Sequence, residues 1–326
     1  MGSSDSPRID RALTLDFQGD WGQANLHRIC GWLAQEVFDR SGPGSRTAIW
    51  TGRGGADAVD SIATHAVDLS MIVPAYAAHS AREGVGMWEG APHPELRALG
   101  VMPQDDRLVF AVGAEHGIRS FADLREMKVP LVIATSQDDG VNTVGYAVNR
   151  VMEAHGIPRD EFLAWGGSFV EDERPFPPLR WYCEGRADAV FHEAIMTPPW
   201  QEVGVARATC FIPMEDGALT TLEKELGWPR AVLRGGYLPG CDDDLLTLDF
   251  SSFLVLVHED MPDDVAYLLT WCMVHTAHAI ERQYHHIPSE RSPLNYPFEP
   301  DRMRETSIPL HPAAARVYDE LGGAHG

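Results

Sequence analysis

Strand-like segments alternate with helical segments along most of the chain, and this alternation restricts its fold more than any other feature. Thr47–Trp50 is rich in β-forming residues and precedes an alanine-rich helical stretch at Ala56–His65. Further along, the apolar residues of Asn142–His155 recur at helical spacing. Repeated β-α units of this kind predict an α/β fold with mainly parallel sheets and helices on both faces.

Local signals define several elements. Ser120, with Asp123 three residues later, predicts the start of a short helix. Glu171–Pro178 is rich in proline and charge and predicts a surface loop. Pro262–Glu281 predicts one long helix, and Pro312 predicts the start of the last one.

Length and charge limit the organisation and the partners. A chain of 326 residues favours two lobes of about 100–200 residues each over a single core. Its 26 basic and 48 acidic side chains give a formal net charge of −22, which disfavours nucleic acids and anionic membranes as partners. An anionic ligand remains compatible with this charge, because one well-placed arginine can bind a carboxylate inside an acidic protein.

Signals for export, membrane insertion and cofactors are lacking in the sequence. The five cysteines are scattered and form no CxxC motif, which indicates neither a disulfide framework nor a zinc ribbon. The N-terminal residues do not read as a secretory signal, and no run has the length of a membrane span. We therefore expect a cytoplasmic protein, or a periplasmic or extracellular one if a leader was removed. With no GxGxxG or Walker sequence, we expect no cofactor.

Ligands of open α/β sheets bind beyond the carboxyl ends of the strands. The loops that follow predicted strands are therefore the candidate functional segments. They are Thr51–Gly55, Pro74–Tyr76, Thr135–Thr143 and His192–Pro199.

Four stretches resemble the TAXI solute-binding proteins, the extracytoplasmic receptors of TRAP-type transporters. They are Thr51–Asp60 leading into Ala66–Met71, Leu96–Leu99 followed by His116–Leu124, Tyr237–Gly240 followed by Phe253–Asp264, and Ile308–Ala314. The resemblance implies a type II periplasmic-binding-protein fold with two lobes, two crossover strands and a ligand cleft between the lobes. We expect one lobe to be formed by residues 1–107 and 250–326, and the other by residues 108–249.

The resemblance also implies a ligand and the residues that bind it. Family members bind small organic anions, so we expect a small organic acid, with a carboxylic acid as the favoured class, and a TRAP permease as partner if the chain is exported. Matching loops include Gly19–Asn25 and the segment that opens the helix after Ser136. The expected ligand-binding residues are Trp21, Asn25, Thr51, Arg53, Gly54, Tyr76, Ser136, Asp138, Asp139, Asn142 and Thr143.

Several of these residues also have a purely structural interpretation. Arg53 lies among glycines that let the backbone approach a ligand, so it could clamp a carboxylate or simply be an exposed loop arginine. Asp138 and Asp139 could accept hydrogen bonds from a ligand or only cap the following helix. Trp21 and Tyr76 could stack on a flat ligand or belong to the core.

His192 and Glu193 suggest a second hypothesis, because they follow a buried strand where the family has apolar or small residues. A histidine can exchange a proton near neutral pH. The alternative function is a cytoplasmic lyase, such as a decarboxylase or dehydratase, acting on a small organic or aromatic acid. His192 would be its proton donor and Glu193 or Asp139 would orient the substrate. Adjacent strand residues point to opposite faces, however, so His192 and Glu193 share a pocket only if the strand has ended.

Four residues near the end of the chain resemble a metal-binding pattern. His275, His278, Glu281 and His285 recur at near-helical spacing. Their order differs from the i, i+4 histidine pair of zinc hydrolases. We interpret them as the solvated face of an outer helix and expect no metal there.

Overall fold

The computed structural model describes residues 6–22, 24–195 and 198–323. The strands are β1 (Thr14–Gln18), β2 (Arg46–Trp50), β3 (Ser70–Ile72), β4 (Leu96–Met102), β5 (Arg107–Gly113), β6 (Val132–Ser136), β7 (Ser168–Asp172), β8 (Ala189–Glu193), β9 (Thr209–Ile212), β10 (Arg230–Leu233), β11 (Leu245–Asp249) and β12 (Phe253–His258). The helices are α1 (Asn25–Arg40), α2 (Ala56–Ala63), α3 (Ala77–Glu83), α4 (Phe121–Met127), α5 (Thr143–Ala154), α6 (Arg159–Ala164), α7 (Phe176–Cys183), α8 (Pro198–Ala206), α9 (Asp216–Leu226), α10 (Asp263–His275), α11 (His278–Glu281), α12 (Pro300–Met303) and α13 (Pro312–Gly323).

The chain divides into two compact units. Unit 1 takes in the described residues up to Gly84, then Trp88–Gln104, and those from Ser252 onward. Unit 2 takes in Val85–Met87 and the described residues of Asp105–Ser251. The chain therefore passes into unit 2 after Gln104 and returns to unit 1 after Ser251.

The strands of unit 1 follow the order β2-β1-β3-β12-β4. β1 pairs in parallel with β2, and a parallel bridge between Phe17 and Leu69 joins β1 to the start of β3. β12 lies between β3 and β4 and is antiparallel to both. This strand is the first element after the chain returns from unit 2, and its residues from Phe253 to Val257 are buried.

Unit 2 repeats this arrangement. Its order β7-β6-β8-β5 has β6 parallel to β7 and to β8, and β5 antiparallel to β8. β9 and β11 both pair with the other edge of β5, and β10 pairs with β11. β5 is the first strand after the chain enters unit 2, so it corresponds to β12 of unit 1.

The predicted α/β class is confirmed, but the proportion of parallel pairing differs from the prediction. Among the described residues, three strand pairs are parallel and six are antiparallel. The reason is that β5 and β12 are each antiparallel to the strands on both of their sides. Inserting one such strand replaces a parallel pair by two antiparallel pairs, while the strands that flank it remain parallel to each other.

The core of unit 2 occupies both faces of its sheet. On one face the rings of Phe110 and Phe191 stack with centroids 4.7 Å apart, and Phe121 of α4 lies 5.5 Å from Phe110. On the other face Tyr182 of α7 and Trp200 of α8 pack with strand residues in a second apolar cluster. The central strands β5, β6 and β8 are thus buried between helices, as the alternating sequence pattern predicts.

Local predictions differ in outcome. Ser120 caps α4 as predicted, because its Oγ accepts a hydrogen bond of 3.0 Å from the Asp123 amide. The long helix predicted at Pro262–Glu281 is wrong: α10 ends at His275, and α11 begins as a separate short helix. The surface loop predicted at Glu171–Pro178 is also wrong, because this segment completes β7 and begins α7. None of the helices in the described part of the chain has the length and apolar character that a membrane span requires.

We expect Phe191→Ala to destabilise unit 2 by about 3–5 kcal/mol, because it removes a fully buried ring between Phe110 and α4. Urea unfolding followed by circular dichroism measures this loss. Phe176→Ala is a matched control in the same unit, since the Phe176 side chain is 40% exposed, and it should cost less than about 1 kcal/mol. Equal losses in the two variants would contradict the described packing.

Candidate functional site

The carboxyl ends of β6 and β8 form a topological switch point in unit 2. From β6 the chain passes through α5 to β7, which lies on one side of β6 in the sheet. From β7 it passes through α7 to β8, which lies on the other side of β6. Because parallel crossover connections are right-handed, these two connections place α5 and α7 on opposite faces of the sheet. Open α/β sheets bind ligands in the crevice that such a reversal leaves at the strand ends.

Ser136 and His192 meet at this switch point. Ser136 is the last residue of β6, and His192 is the last but one of β8. Their side chains share a face of the sheet, and Ser136 Oγ lies 2.8 Å from His192 Nε2 in a hydrogen bond. Both residues are only 1% exposed. The structure thus brings together two residues that the sequence analysis singled out separately.

His192 is buried and uncharged at neutral pH. Burial lowers the pKa of its imidazole to about 4, because the charged form is poorly solvated there. Its second ring nitrogen, Nδ1, is buried and has no hydrogen-bond partner in the described part of the chain. A buried polar atom without a partner is costly, and a bound ligand or water is the usual means of satisfying it. His192 is therefore suited to hydrogen bonding in its neutral form.

Glu193 points away from His192, as alternation along a strand requires. It interacts instead with Asp106, a fully buried residue that directly precedes β5. Burial raises the pKa of Glu193 to about 7, and burial together with the nearby Glu193 charge also raises the pKa of Asp106. The two predicted catalytic residues are therefore on opposite faces of β8.

The loop between β6 and α5 satisfies its own polar groups. Asn142 caps α5 by accepting hydrogen bonds from the Val144 and Gly145 amides, at 3.0 and 3.4 Å. Asp139 accepts from the amides of Val141 and Asn142, each at 3.0 Å. These contacts fit the hypothesis that Asp139 caps the start of the following helix.

The remaining predicted residues of this loop lie beside these caps. Asp138 is exposed and accepts a hydrogen bond of 2.7 Å from the side chain of Asn149. Thr143 is the buried first residue of α5. The loop predicted at His192–Pro199 is partly wrong, because His192 and Glu193 complete β8 and Pro198 begins α8. Its residues 196 and 197 lie outside the described residues.

Unit 1 has an equivalent switch point between β1 and β3. Gln18 ends β1, and its side-chain oxygen accepts a hydrogen bond of 3.0 Å from Ser70 Oγ of β3. The Gln18 amide nitrogen donates to Asp57, at 3.3 Å. Gln18 and Ser70 are both buried. Sequence analysis did not identify this pair, although a polar residue ending a strand next to a glycine is a signal that could have done so.

Carboxylates of the chain occupy the helix N-termini of unit 1. Asp20 accepts hydrogen bonds from four backbone amides at the start of α1, those of Gly22, Ala24, Leu26 and His27. Asp57 accepts from the amides of Arg53 and Gly55, at 2.7 and 3.0 Å. Helix N-termini attract anions, so these two positions are already neutralised within the chain.

The other predicted residues of unit 1 lie on loops at the carboxyl ends of β1, β2 and β3. Asn25 is buried, and its side-chain oxygen accepts a hydrogen bond of 2.6 Å from Tyr284, which makes it part of the core of unit 1. Gly54 has a φ of 76° and lies so close to Leu26 that a Cβ atom would approach within 2.7 Å of its Cδ1. The others differ in exposure: Thr51 is exposed, and Trp21, Arg53 and Tyr76 are partly buried.

The residues considered for a metal do not form one helical face. His275 ends α10, whereas His278 begins α11, so the spacing is interrupted. Glu281 accepts a hydrogen bond of 2.6 Å from the Phe298 amide. His275 stacks on Trp271, with ring centroids 4.4 Å apart, and His285 is exposed.

The chain is similar to several solved structures. The chain is similar to PhnD1 from Prochlorococcus marinus in complex with methylphosphonate, at 12% identity and a TM-score of 0.50, over 96% of this chain and 98% of that one. It is also similar to the periplasmic aliphatic sulphonate binding protein SsuA from Escherichia coli, at 13% identity and a TM-score of 0.43, over 97% and 93%. A marine metagenome TRAP solute binding protein specific for aromatic acid ligands, crystallised with 3-hydroxybenzoate, gives 13% identity and a TM-score of 0.38 over 80% and 74%.

The likeness to PhnD1 shows a shared fold, which confirms the predicted α/β fold class. The chain belongs to the NMT1-like family, whose model matches residues 41–322. Among curated proteins, no relative matches. The location of the chain, cytoplasmic or periplasmic, stays a prediction.

The raised pKa of Glu193, which lies beside Asp106, predicts how the stability of the protein depends on pH. Because the folded-state pKa of Glu193 is raised from 4.5 to about 7, the folded protein binds this proton more tightly than the unfolded chain does. The resulting stabilisation is fully present below about pH 4.5 and is lost as the pH rises through 7. The glutamine of Glu193→Gln cannot ionise, so the variant does not lose this stabilisation as the pH rises. Its free energy of unfolding, relative to that of wild type, should therefore increase by about 1–2 kcal/mol from pH 5 to pH 8.

Urea unfolding at pH 5 and pH 8 measures this change. Glu126→Gln is the matched control, because Glu126 is an exposed residue of α4 in the same unit. Its stability relative to wild type should stay the same at both pH values. A Glu193→Gln curve that parallels wild type from pH 5 to pH 8 would contradict the prediction.

Proposed function

We propose that this protein is a TAXI-type solute-binding protein that captures a small organic acid without transforming it. The observation that carries the proposal is the buried Ser136–His192 pair at the switch point of unit 2, with one histidine nitrogen left without a partner. Membership of the NMT1-like family supports the binding role. The four stretches that resemble TAXI proteins support the narrower assignment.

The pair offers hydrogen bonds rather than charge. His192 is neutral at physiological pH, and the Ser136 hydroxyl can both donate and accept. We assign to this pair a polar, uncharged contact with the ligand, such as one to a hydroxyl group or to one oxygen of a carboxylate. Neutral hydrogen bonds in a dry site discriminate strongly against ligands that lack the matching group, because the buried partners are then left unsatisfied.

The positive charge for a carboxylate is assigned to Arg53 of unit 1. Its backbone amide is held by Asp57, which fixes the loop that carries the side chain. Because Asp20 and Asp57 occupy the amides at the starts of α1 and α2, a guanidinium is a better carboxylate partner in this unit than either helix N-terminus. Thr51, Trp21 and Tyr76 are proposed to complete this set on neighbouring loops.

The lyase hypothesis receives less support from the geometry. A general acid works best with a pKa near the operating pH, and His192 holds its extra proton only below about pH 4. Glu193 lies on the other face of β8 and cannot orient a substrate beside His192. A binding role requires neither a protonated His192 nor a shared pocket. If the chain acts outside the cytoplasm, the resemblance implies a TRAP-type permease as its partner.

A thermal-shift screen of monocarboxylic, dicarboxylic and aromatic acids, with alkyl phosphonates and sulphonates as competing classes, would test the ligand class. We expect at least one organic acid to raise the melting temperature, because a ligand stabilises the state that it binds. In calorimetric titrations of that acid, Arg53→Gln and Ser136→Ala should each weaken binding by about 10- to 100-fold. The acid recovered from the protein should be chemically unchanged.

The control is Arg46→Gln, which removes an exposed arginine from the other end of the strand that precedes Arg53. Its affinity should remain within about twofold of wild type, in line with the small effects of surface substitutions. Equal affinity of the Arg53→Gln and Arg46→Gln variants would refute the carboxylate role of Arg53. Conversion of the ligand by wild type, lost in His192→Ala, would refute the receptor role.

A further inference from the structure

A second cluster of chemistry-bearing side chains lies in unit 1, away from the loops that follow β1, β2 and β3. His65 comes shortly after α2, His258 is the last residue of β12, and Asp260 lies in the turn after it. Each of the three residues offers a ligand atom, and these atoms all lie within 4.8 Å of one another. His258 Nδ1 lies 2.6 Å from Asp260 Oδ1, and His65 Nε2 lies 3.8 Å from Asp260 Oδ2.

From this geometry we propose that His65, His258 and Asp260 bind a divalent transition-metal ion such as Zn²⁺. Two imidazoles and a carboxylate are a common ligand set for this ion, and water completes the coordination. Metal–ligand bonds of about 2.0–2.2 Å in tetrahedral geometry separate the ligand atoms by about 3.3–3.5 Å. The observed separations need only small side-chain rotations to reach these values.

The surroundings of the cluster favour a cation. The Glu95 carboxylate is close enough to His258 to interact with it electrostatically, and its backbone oxygen accepts a hydrogen bond of 2.9 Å from the Glu259 amide. Asp68 interacts electrostatically with His65. Nearby carboxylates lower the energy of a bound divalent ion and support the imidazole ligands as outer-shell partners.

The site lies at the opposite ends of the strands from the proposed ligand loops. His258 pairs with Leu96, the first residue of β4, and β12 runs antiparallel to β3 and β4. The carboxyl end of β12 is therefore at the amino ends of β3 and β4. A metal here would tie the end of α2 to the turn between β12 and α10, which joins parts of unit 1 that are far apart in sequence. We therefore assign it a structural role in unit 1.

The backbone conformation of His65 makes a glycine substitution an informative test. Its φ is 54°, in the left-handed region just beyond the end of α2, where glycine is the preferred residue. His65→Gly removes a proposed ligand while relieving the backbone, so the metal-free variant should melt at the same temperature as wild type or higher. Loss of metal binding in this variant therefore cannot be attributed to unfolding.

The experiment is calorimetric titration of the full chain, freed of metal with a chelator, with Zn²⁺, together with melting curves with and without Zn²⁺. We expect one Zn²⁺ per chain and a higher melting temperature in its presence. His65→Gly and Asp260→Asn should each weaken Zn²⁺ binding by at least about 100-fold and abolish the shift. His278→Ala is the control, because His278 is an exposed histidine of the same unit, and it should bind like wild type.

Three results would overturn the proposal. One is the absence of saturable Zn²⁺ binding by wild type. Another is unchanged Zn²⁺ binding in both His65→Gly and Asp260→Asn. The last is a loss of the site in His278→Ala, which would place the ion near α11 instead. None of these results bears on the capture of an organic acid, so the two proposals stand or fall separately.

Discussion

The pairing of β12 between β3 and β4 is the constraint on which unit 1 depends. β12 forms antiparallel hydrogen bonds with both neighbours, and its residues from Phe253 to Val257 are buried. Without β12, β3 and β4 share no pairing. β5 has the same role in unit 2, where it joins β8 to β9 and β11. Both switch points exist because these strands hold the parallel strands beside them in position.

The distribution of acids explains how a chain with a net charge of −22 can offer a site for an anion. Asp20 and Asp139 lie on loops at the carboxyl ends of strands, and Asp57 lies in the first turn of α2. Each accepts hydrogen bonds from backbone amides close to it in sequence. A carboxylate that accepts from backbone amides has part of its charge compensated. These acids therefore shape the segments in which they lie, which is why Arg53 and the neutral Ser136–His192 pair are the residues we propose for recognition.

The sequence predicted features that depend on local chemistry and missed those that depend on distant partners. The Ser120 cap and the buried stripe of α5 follow from residues three or four apart, and both are observed. The break after α10 was missed, because no glycine or proline marks it. There Thr276 Oγ1 donates to the Cys272 carbonyl and accepts from Trp32, which is 244 residues away. Asn25 illustrates the same limit within the candidate site, since its bond to Tyr284 spans 259 residues.

The chain leaves unit 1 after Gln104 and returns to it at Ser252, and this order affects folding during synthesis. When Gln104 leaves the ribosome, β3 and β4 have been made, but β12, which begins at Phe253, has not. At about 5–20 residues per second, roughly 7–30 s pass before it emerges. During that interval the strands of unit 2, which all lie between Arg107 and Asp249, are made first. Unit 1 meanwhile has two apolar strand edges, those of β3 and β4, that lack their partner, and such edges can pair with other chains until β12 is made.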